Sequence, residues 1–472
     1  MAMTEASSRP INLWLVPREK HAPAIYDRLD LIQDEVERQE ARRKRGGASA
    51  VSFRKCLRAI CLDLFDAYVA DADMQVGVPR DKNVLSGRDI AQPLFVSARP
   101  FLDALSGLEN TGYIETVSIG NEASGRRTRV KGTQRLVDKL GVAGLKPEHL
   151  LDTSDPIVLR IKSNGKKKRH AFVDTDQIVR WRGNVEQINR HLEGYRLTLD
   201  LTQKQTNGME ADRLSDAVQE AKVEREPLRY QRINTTRTRL CRIFNSPQWN
   251  EGGRFYGGWW QSVPRRWRQH IKINGKLTCE YDFSSIHMRL LYKSIGAAMP
   301  KDIDPYSKPY GDRHRKVVKR AFNVLLNASR RPEPHTVPEF NEEELGMSWN
   351  SFLNGILRHH SVLEEYFMTG AGVYLQRVDA DIAEAIMLKF VEMQQPCLPI
   401  HDSFITYKTL EDELPDIMER VAVELDAGEI PAQKAYSGSY TGPTGLVTAD
   451  VGEVLAEIAE EQSEYTTKIG VC

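Results

Sequence analysis

Two aspartates in this chain sit where phosphoryl-transfer chemistry could be done. Asp282 lies in Leu277-Thr-Cys-Glu-Tyr-Asp282-Phe283-Ser284-Ser285-Ile286-His287-Met288-Arg289, and Asp402 in Leu398-Pro-Ile-His401-Asp402-Ser403-Phe404-Ile405. Each interrupts a short apolar or aromatic run. They are far apart in the chain, so only a fold can bring them together. Two convergent carboxylates on neighbouring strands would hold a pair of magnesium ions for in-line phosphoryl transfer.

Other segments supply what such a pair needs around it. Arg315 and Lys319 share one face if their segment is a helix, because side chains at i and i+4 are neighbours there. A cationic pair on one face suits the phosphates of a nucleotide. The same stretch also reads as a solvated basic stripe, since Arg313, His314, Lys316 and Arg320 crowd it. Upstream, Gly253-Arg254-Phe255-Tyr256-Gly257-Gly258-Trp259-Trp260-Gln261 mixes glycine with aromatics. Glycine permits close backbone approach to a ligand, and aromatic rings pack on sugars or bases. An ordinary glycine-rich turn over buried rings is the other reading. Leu375-Gln376-Arg377-Val378-Asp379-Ala380-Asp381 precedes the second aspartate; Asp381 reads as a salt bridge or cap outside the site.

Together and in this order, these segments resemble the polymerase domain of the family A DNA polymerases, the bacterial DNA polymerase I type, over residues 230–450. The resemblance implies an α+β fold, with a polymerase palm built on an antiparallel sheet and helical fingers. It implies Asp282 and Asp402 as the catalytic residues, holding two Mg2+ ions. Arg315 and Lys319 would face the incoming triphosphate, with His287, Asn323 and Asn327 on the nucleotide side. Arg254, Gln261, Gln376, His401 and Arg289 would face the primer–template. The implied partners are a DNA primer–template and nucleoside triphosphates. The implied activity is that of a DNA-directed DNA polymerase, a nucleotidyltransferase serving DNA replication.

The departures from the pattern concern the sugar and the last motif. His287 stands where the family has a Glu that disfavours ribose, Asn323 where it has a hydrophobic ring, and Asn327 where it has Tyr or Phe. Ser403 replaces the Glu of the family's final His-Asp-Glu, and His401-Asp402-Ser403-Phe404 is similar to the matching motif of the phage-type single-subunit RNA polymerases. Weak sugar discrimination is therefore expected, with dNTPs modestly preferred. An RNA polymerase or primase-like enzyme on the same palm, with RNA as product or partner, is one alternative. A non-catalytic DNA-binding replication initiator or repressor with a degenerate palm is another.

Composition adds bounds. The chain has 472 residues, room for two or three domains, and carries 66 Lys and Arg against 65 Asp and Glu, a net charge of +1. Neutrality overall conceals basic clusters at residues 42–45, 126–131, 166–169 and 229–242. The cysteines, at 56, 61, 241, 279, 397 and 472, show neither Cys-x-x-Cys nor zinc spacing and read as reduced residues of a cytoplasmic protein. No apolar run approaches the roughly 20 residues of a membrane span, and no signal-peptide core opens the chain.

The expected organisation has three parts. Residues 1–150 hold a charged helix over 20–45, a helix over 50–73, a helix over 97–108 and a strand at 112–118. A basic turn then leads to a second strand. This is the order of a winged helix, with the helix over 97–108 entering a DNA groove and Arg126, Arg127 and Arg129 of the wing touching phosphates. The same fold also serves packing or protein contact. Residues 151–245 read as a hairpin around Asn164-Gly165, with a basic tip at Lys166 to Arg169, then a helix capped at Asp174-Thr175-Asp176 and a thumb-like connector. Residues 246–472 carry the polymerase-like motifs. No 3′–5′ exonuclease domain is expected, because residues 1–245 lack the strands and dispersed carboxylates that it needs.

Overall fold

The computed structural model of the chain describes residues 8–40, 45–82, 93–120, 127–163, 166–224, 233–297 and 304–438, with Leu85 and Met299. It is a mixed α/β structure of helices and small sheets. Among the described residues no helix is long and apolar enough to cross a membrane.

The N-terminal unit is organised by the helix Gly47–Ala70. Phe53, Cys56, Leu57 and the run from Ala59 to Ala67 are all buried. A helix apolar on nearly all sides must be covered on all sides. The helices Ala22–Gln39 and Ala98–Asn110 cover it, with a four-stranded sheet in the order Ser8–Pro10, Gln75–Val78, Thr128–Gly132, Ile114–Ser118. The expected helices and the strands Ile114–Ser118 and Thr128–Gly132 are present, with the strand Gln75–Val78 between the second and third helices; residues 121–126 of the expected basic turn lie outside the described residues. Arg126 lies outside the described residues; Arg127 is exposed, and half-buried Arg129 donates to Gln75 Oε1 at 3.4 Å.

The helix Ala98–Asn110 shows a face that the groove-entering expectation does not fit. Its exposed or half-exposed positions carry one cation, Arg99, against Asp103 and Glu109. Asp103 faces Arg45 and Glu109 faces Arg80. Two carboxylates are a poor match to a groove lined with phosphates. Its Gly107 is pressed against the first helix, where an added Cβ would collide with Val36 Cγ1. Gly107→Ala is therefore expected to cost about 1–3 kcal/mol through overpacking, despite the better helix propensity of alanine. Val36→Ala in the same chain should recover part of that loss. Urea melts of the single and double variants measure both.

The next unit is a four-stranded sheet in the order Gly252–Tyr256, Cys241–Phe244, Ile157–Ser163, Lys166–His170. The expected hairpin is there, with Ser163 opposite Lys166, so the basic run belongs to the second strand and not to a tip. Thr175 caps the helix Asp176–Leu192 by accepting from the Ile178 amide, as the sequence predicts. A boundary at 245/246 does not hold. Cys241–Phe244 and Gly252–Tyr256 are antiparallel partners, so the cut would fall inside one sheet.

Arg242 pins this sheet to the helix Ala371–Glu392. It is fully buried, ion-paired to Glu384 and Asp381, and its Nε donates to the Gly253 carbonyl at 2.7 Å. The helix also packs against the Ile286–Ser294 and Arg315–Asn327 helices and the strand Gly252–Tyr256. It thus lies behind the segments that hold Arg254, His287, Arg315 and Lys319.

The two halves are joined by buried polar contacts. Asp63, fully buried, accepts from Arg9 Nη1 at 2.6 Å. Neighbouring Asp66 accepts from Thr236 Oγ1 at 3.0 Å and Asn234 Nδ2 at 3.3 Å, both from the chain that leads into the strand Cys241–Phe244.

Candidate active site

The two aspartates come together through strand pairing. The strand Thr278–Phe283 runs antiparallel to Ser403–Tyr407, within a sheet ordered Leu398–Ile400, Ser403–Tyr407, Thr278–Phe283, Ala432–Ser437. Asp282 stands opposite Ser403, and the Phe283 amide donates to the Asp402 carbonyl at 3.1 Å. Asp402 occupies the second position of a two-residue turn, since Ile400 pairs with Ser403. Such turns need a positive φ, and His401 supplies it at +60°. A non-glycine residue seldom adopts that conformation, so the turn is held by its flanking strands. Below the turn, Trp260 Nε1 and Gln261 Nε2 both donate to the Pro399 carbonyl, at 3.0 and 3.1 Å.

The pair is electrostatically uncompensated from within. Burial, and next the adjacent Asp402 carboxylate, push the Asp282 acid up to about 7, against the opposing pull of Lys319 and Arg265. A divalent cation would relieve this like-charge contact, so the donor set fits magnesium. Among the described residues no group of three or more His, Cys, Asp or Glu side chains converges in a metal-holding arrangement, so water and substrate oxygens would complete the coordination of any ion held by these two carboxylates.

The sign of the pH effect follows. The folded state keeps a proton on Asp282 that an unfolded aspartate, titrating near 4, has released. Stability is therefore lost as pH rises through the interval that ends at about 7, and the loss is complete above it. Thermal melts of metal-free protein should fall across that interval, the fall should flatten in Asp282→Asn, and added Mg2+ at alkaline pH should reverse it in the unsubstituted chain. A flat profile without metal contradicts the assignment.

Lys319 and Arg315 project from the helix Arg315–Asn327, on one side of it as the spacing predicts. Their charged ends lie 5.7 and 5.9 Å from the ring centre of buried Tyr306. Lys319 is exposed and acts on Asp282, whereas Arg315 is ion-paired to Asp304. Asn327 is exposed and its Nδ2 donates to the Asn323 carbonyl at 2.8 Å. The neighbouring ring does not substitute for the one missing at 323, because Phe322 is buried among Tyr306, His360 and Phe367.

Arg254 and His287 converge, but on a residue that the sequence reading left unassigned. Asp379, 2 % exposed, accepts from Arg254 Nε at 3.1 Å and lies 2.7 Å from His287 Nε2; Arg254 Nη2 and His287 Nε2 are 3.1 Å apart. Burial alone would raise the Asp379 acid, but hydrogen bonds from His287 and Arg254 prevail and hold it below the usual range. His401 lies edge-on to Tyr256, with ring centres 5.5 Å apart, and its Nδ1 is buried without a partner. Burial, then the Arg254 cation, hold its imidazole below the ordinary range. Gln376 is half-buried on the long helix.

Two of the residues expected to face the template are engaged inside the fold. Arg289 is buried, with Nε on the Ser284 carbonyl and Nη1 on the Met299 carbonyl, because the residue sits on the inward side of the helix Ile286–Ser294. The amide nitrogen of Gln261 is taken up inside the fold by the Phe255 and Pro399 carbonyls. Arg265, in contrast, is exposed and acts on Asp282.

No protein-family profile matches the chain, and no curated protein does. Among solved structures, the chain is similar to the POL domain of Pol1 from M. smegmatis, determined in complex with a DNA primer-template and dNTP, with 10 % identity and a TM-score of 0.28 over 91 % of this chain and 67 % of that one.

Proposed function

We propose that the chain is a template-directed nucleotidyltransferase that extends a nucleic-acid 3′-end. The observation that carries this reading is the meeting of Asp282, near the end of its strand, with Asp402, in the turn that leads into the neighbouring strand, and exposed Lys319 acting on Asp282. Asp282 and Asp402 would hold the magnesium ions, which supply activation of the 3′-hydroxyl and charge neutralisation on the departing pyrophosphate. Lys319 and Arg265 draw a polyanionic triphosphate toward the carboxylates. Arg315 would exchange its Asp304 partner for a phosphate. The Arg254–Asp379–His287 cluster fixes the imidazole on the nucleotide side, where it meets the sugar. Tyr256 and His401 line the same surface next to the turn that carries Asp402, on the primer side. The exposed Arg127 and the neighbouring Arg129 are the N-terminal unit's contacts to DNA phosphates.

Extension of a defined primer–template in Mg2+, with dNTPs and rNTPs supplied separately, tests the reading and settles the sugar. No extension with either set, at protein concentrations that shift the duplex in a gel, favours the non-catalytic DNA-binding alternative. Lys319→Ala is expected to raise the apparent KM for nucleotide about tenfold, as loss of one charge-assisted contact of about 1.5 kcal/mol would. Duplex binding by that variant should change little. Lost duplex binding at an unchanged nucleotide KM would instead place Lys319 on the template.

A further inference from the structure

The strand that ends in Asp282 carries a second acid on the same face. Side chains alternate along a strand, so Glu280 and Asp282 point to one side of the sheet. Glu280 is 1 % exposed, which a carboxylate tolerates only when paired. One oxygen is paired: Oε1 accepts from Arg268 Nη1 at 2.7 Å and from Ser403 Oγ at 2.6 Å. Oε2 is buried with no partner at all. The residue bonded to Glu280 is the one that directly follows Asp402 and stands opposite Asp282.

We propose that Glu280 is a third acid behind the site, a positioning residue that acts through Ser403 on the Asp282–Asp402 pair. Position 403, where the final motif lacks a carboxylate, holds the hydroxyl that receives Glu280 from across the sheet. The acid is thus supplied from the first strand and not from the second. Arg268 bonds only Oε1, so the charge of the buried acid is only partly compensated and bears on Asp282 beside it. Carboxylates one step removed from a metal typically change its affinity by 10- to 100-fold. This inference rests on the metal-binding reading of the aspartate pair.

The test is Mn2+ binding to the full-length protein without nucleotide, followed by electron paramagnetic resonance. Glu280→Gln keeps an acceptor for Arg268 and Ser403 and removes the charge. It should weaken Mn2+ binding about tenfold, with the melting transition of the metal-free protein still cooperative. The exchange Glu280→Ser with Ser403→Glu returns a carboxylate to the neighbourhood from the other strand and should recover most of the affinity. That recovery is not expected if Glu280 serves only to neutralise Arg268. Unchanged Mn2+ affinity in Glu280→Gln overturns the inference, as does an exchange variant that folds and binds no better than Glu280→Gln. Asp282→Asn is the control that separates the two levels. If it too binds Mn2+ as the unsubstituted chain does, the metal reading itself fails; if it alone loses Mn2+, only the role of Glu280 fails.

Discussion

Asp282→Asn and Asp402→Asn should each lower nucleotide incorporation by roughly a thousandfold or more while leaving the fold intact. The size follows from the several kcal/mol of charge stabilisation that a metal site supplies, at 1.36 kcal/mol per factor of ten. Survival of the fold follows from the surroundings. Both side chains are partly exposed, and the strand register depends on backbone pairing and not on the carboxylates. Asp282→Asn also removes a repulsion, so above pH 7 the metal-free variant should melt higher than the parent. Primer extension over a Mg2+ and Mn2+ series, beside thermal melts, gives both quantities. Near-parental extension in Mg2+ by either variant would refute the two-metal assignment.

Asp379→Ala should carry the largest stability cost of any substitution near the site. It strands Arg254, whose side chain is 15 % exposed, with no carboxylate in place of a bidentate one, and it frees the His287 ring. Breaking a buried pair from one side costs about 3–5 kcal/mol, because the remaining charge is left uncompensated. Asp379→Asn keeps the shape and should cost less. It should still loosen His287, and so shift single-nucleotide incorporation toward ribonucleotides, the direction expected of His287→Ala. Denaturant midpoints and paired dNTP/rNTP incorporation rates are the measurements. A sugar ratio unmoved by both variants would exclude this cluster as the sugar gate.

The sequence made local structure and site polarity readable, and left cross-chain partners hidden. The helix over 176–192 was legible from Thr175 and its apolar period, and the hairpin from Asn164-Gly165. The two aspartates were legible because each breaks an apolar strand. Asp379, by contrast, sits one turn of helix after Gln376, and nothing local distinguishes it from Asp381; its importance comes from Arg254, far upstream, and His287 on another helix. Glu280 carried a fainter signal, an acid two residues before Asp282 in an otherwise apolar strand, but its partner Ser403 lies across the sheet. Arg289 failed in the other direction. A guanidinium reads as surface, yet this one satisfies backbone carbonyls in the interior. Charge is local information, while the partner that decides its role is set by topology.

The contacts from Asp66 to Asn234 and Thr236 bear on how this chain can be divided. A fragment stopping near residue 150 would keep Arg9 and Asp63 but lose both neutral donors to Asp66. A fragment starting there would expose those donors just ahead of the strand Cys241–Phe244, which Arg242 anchors to the helix behind the aspartates. The N-terminal unit is thus tied by hydrogen bonds to the chain that leads into the strand Cys241–Phe244. A cut near residue 150 would therefore divide a buried polar network and not a free linker.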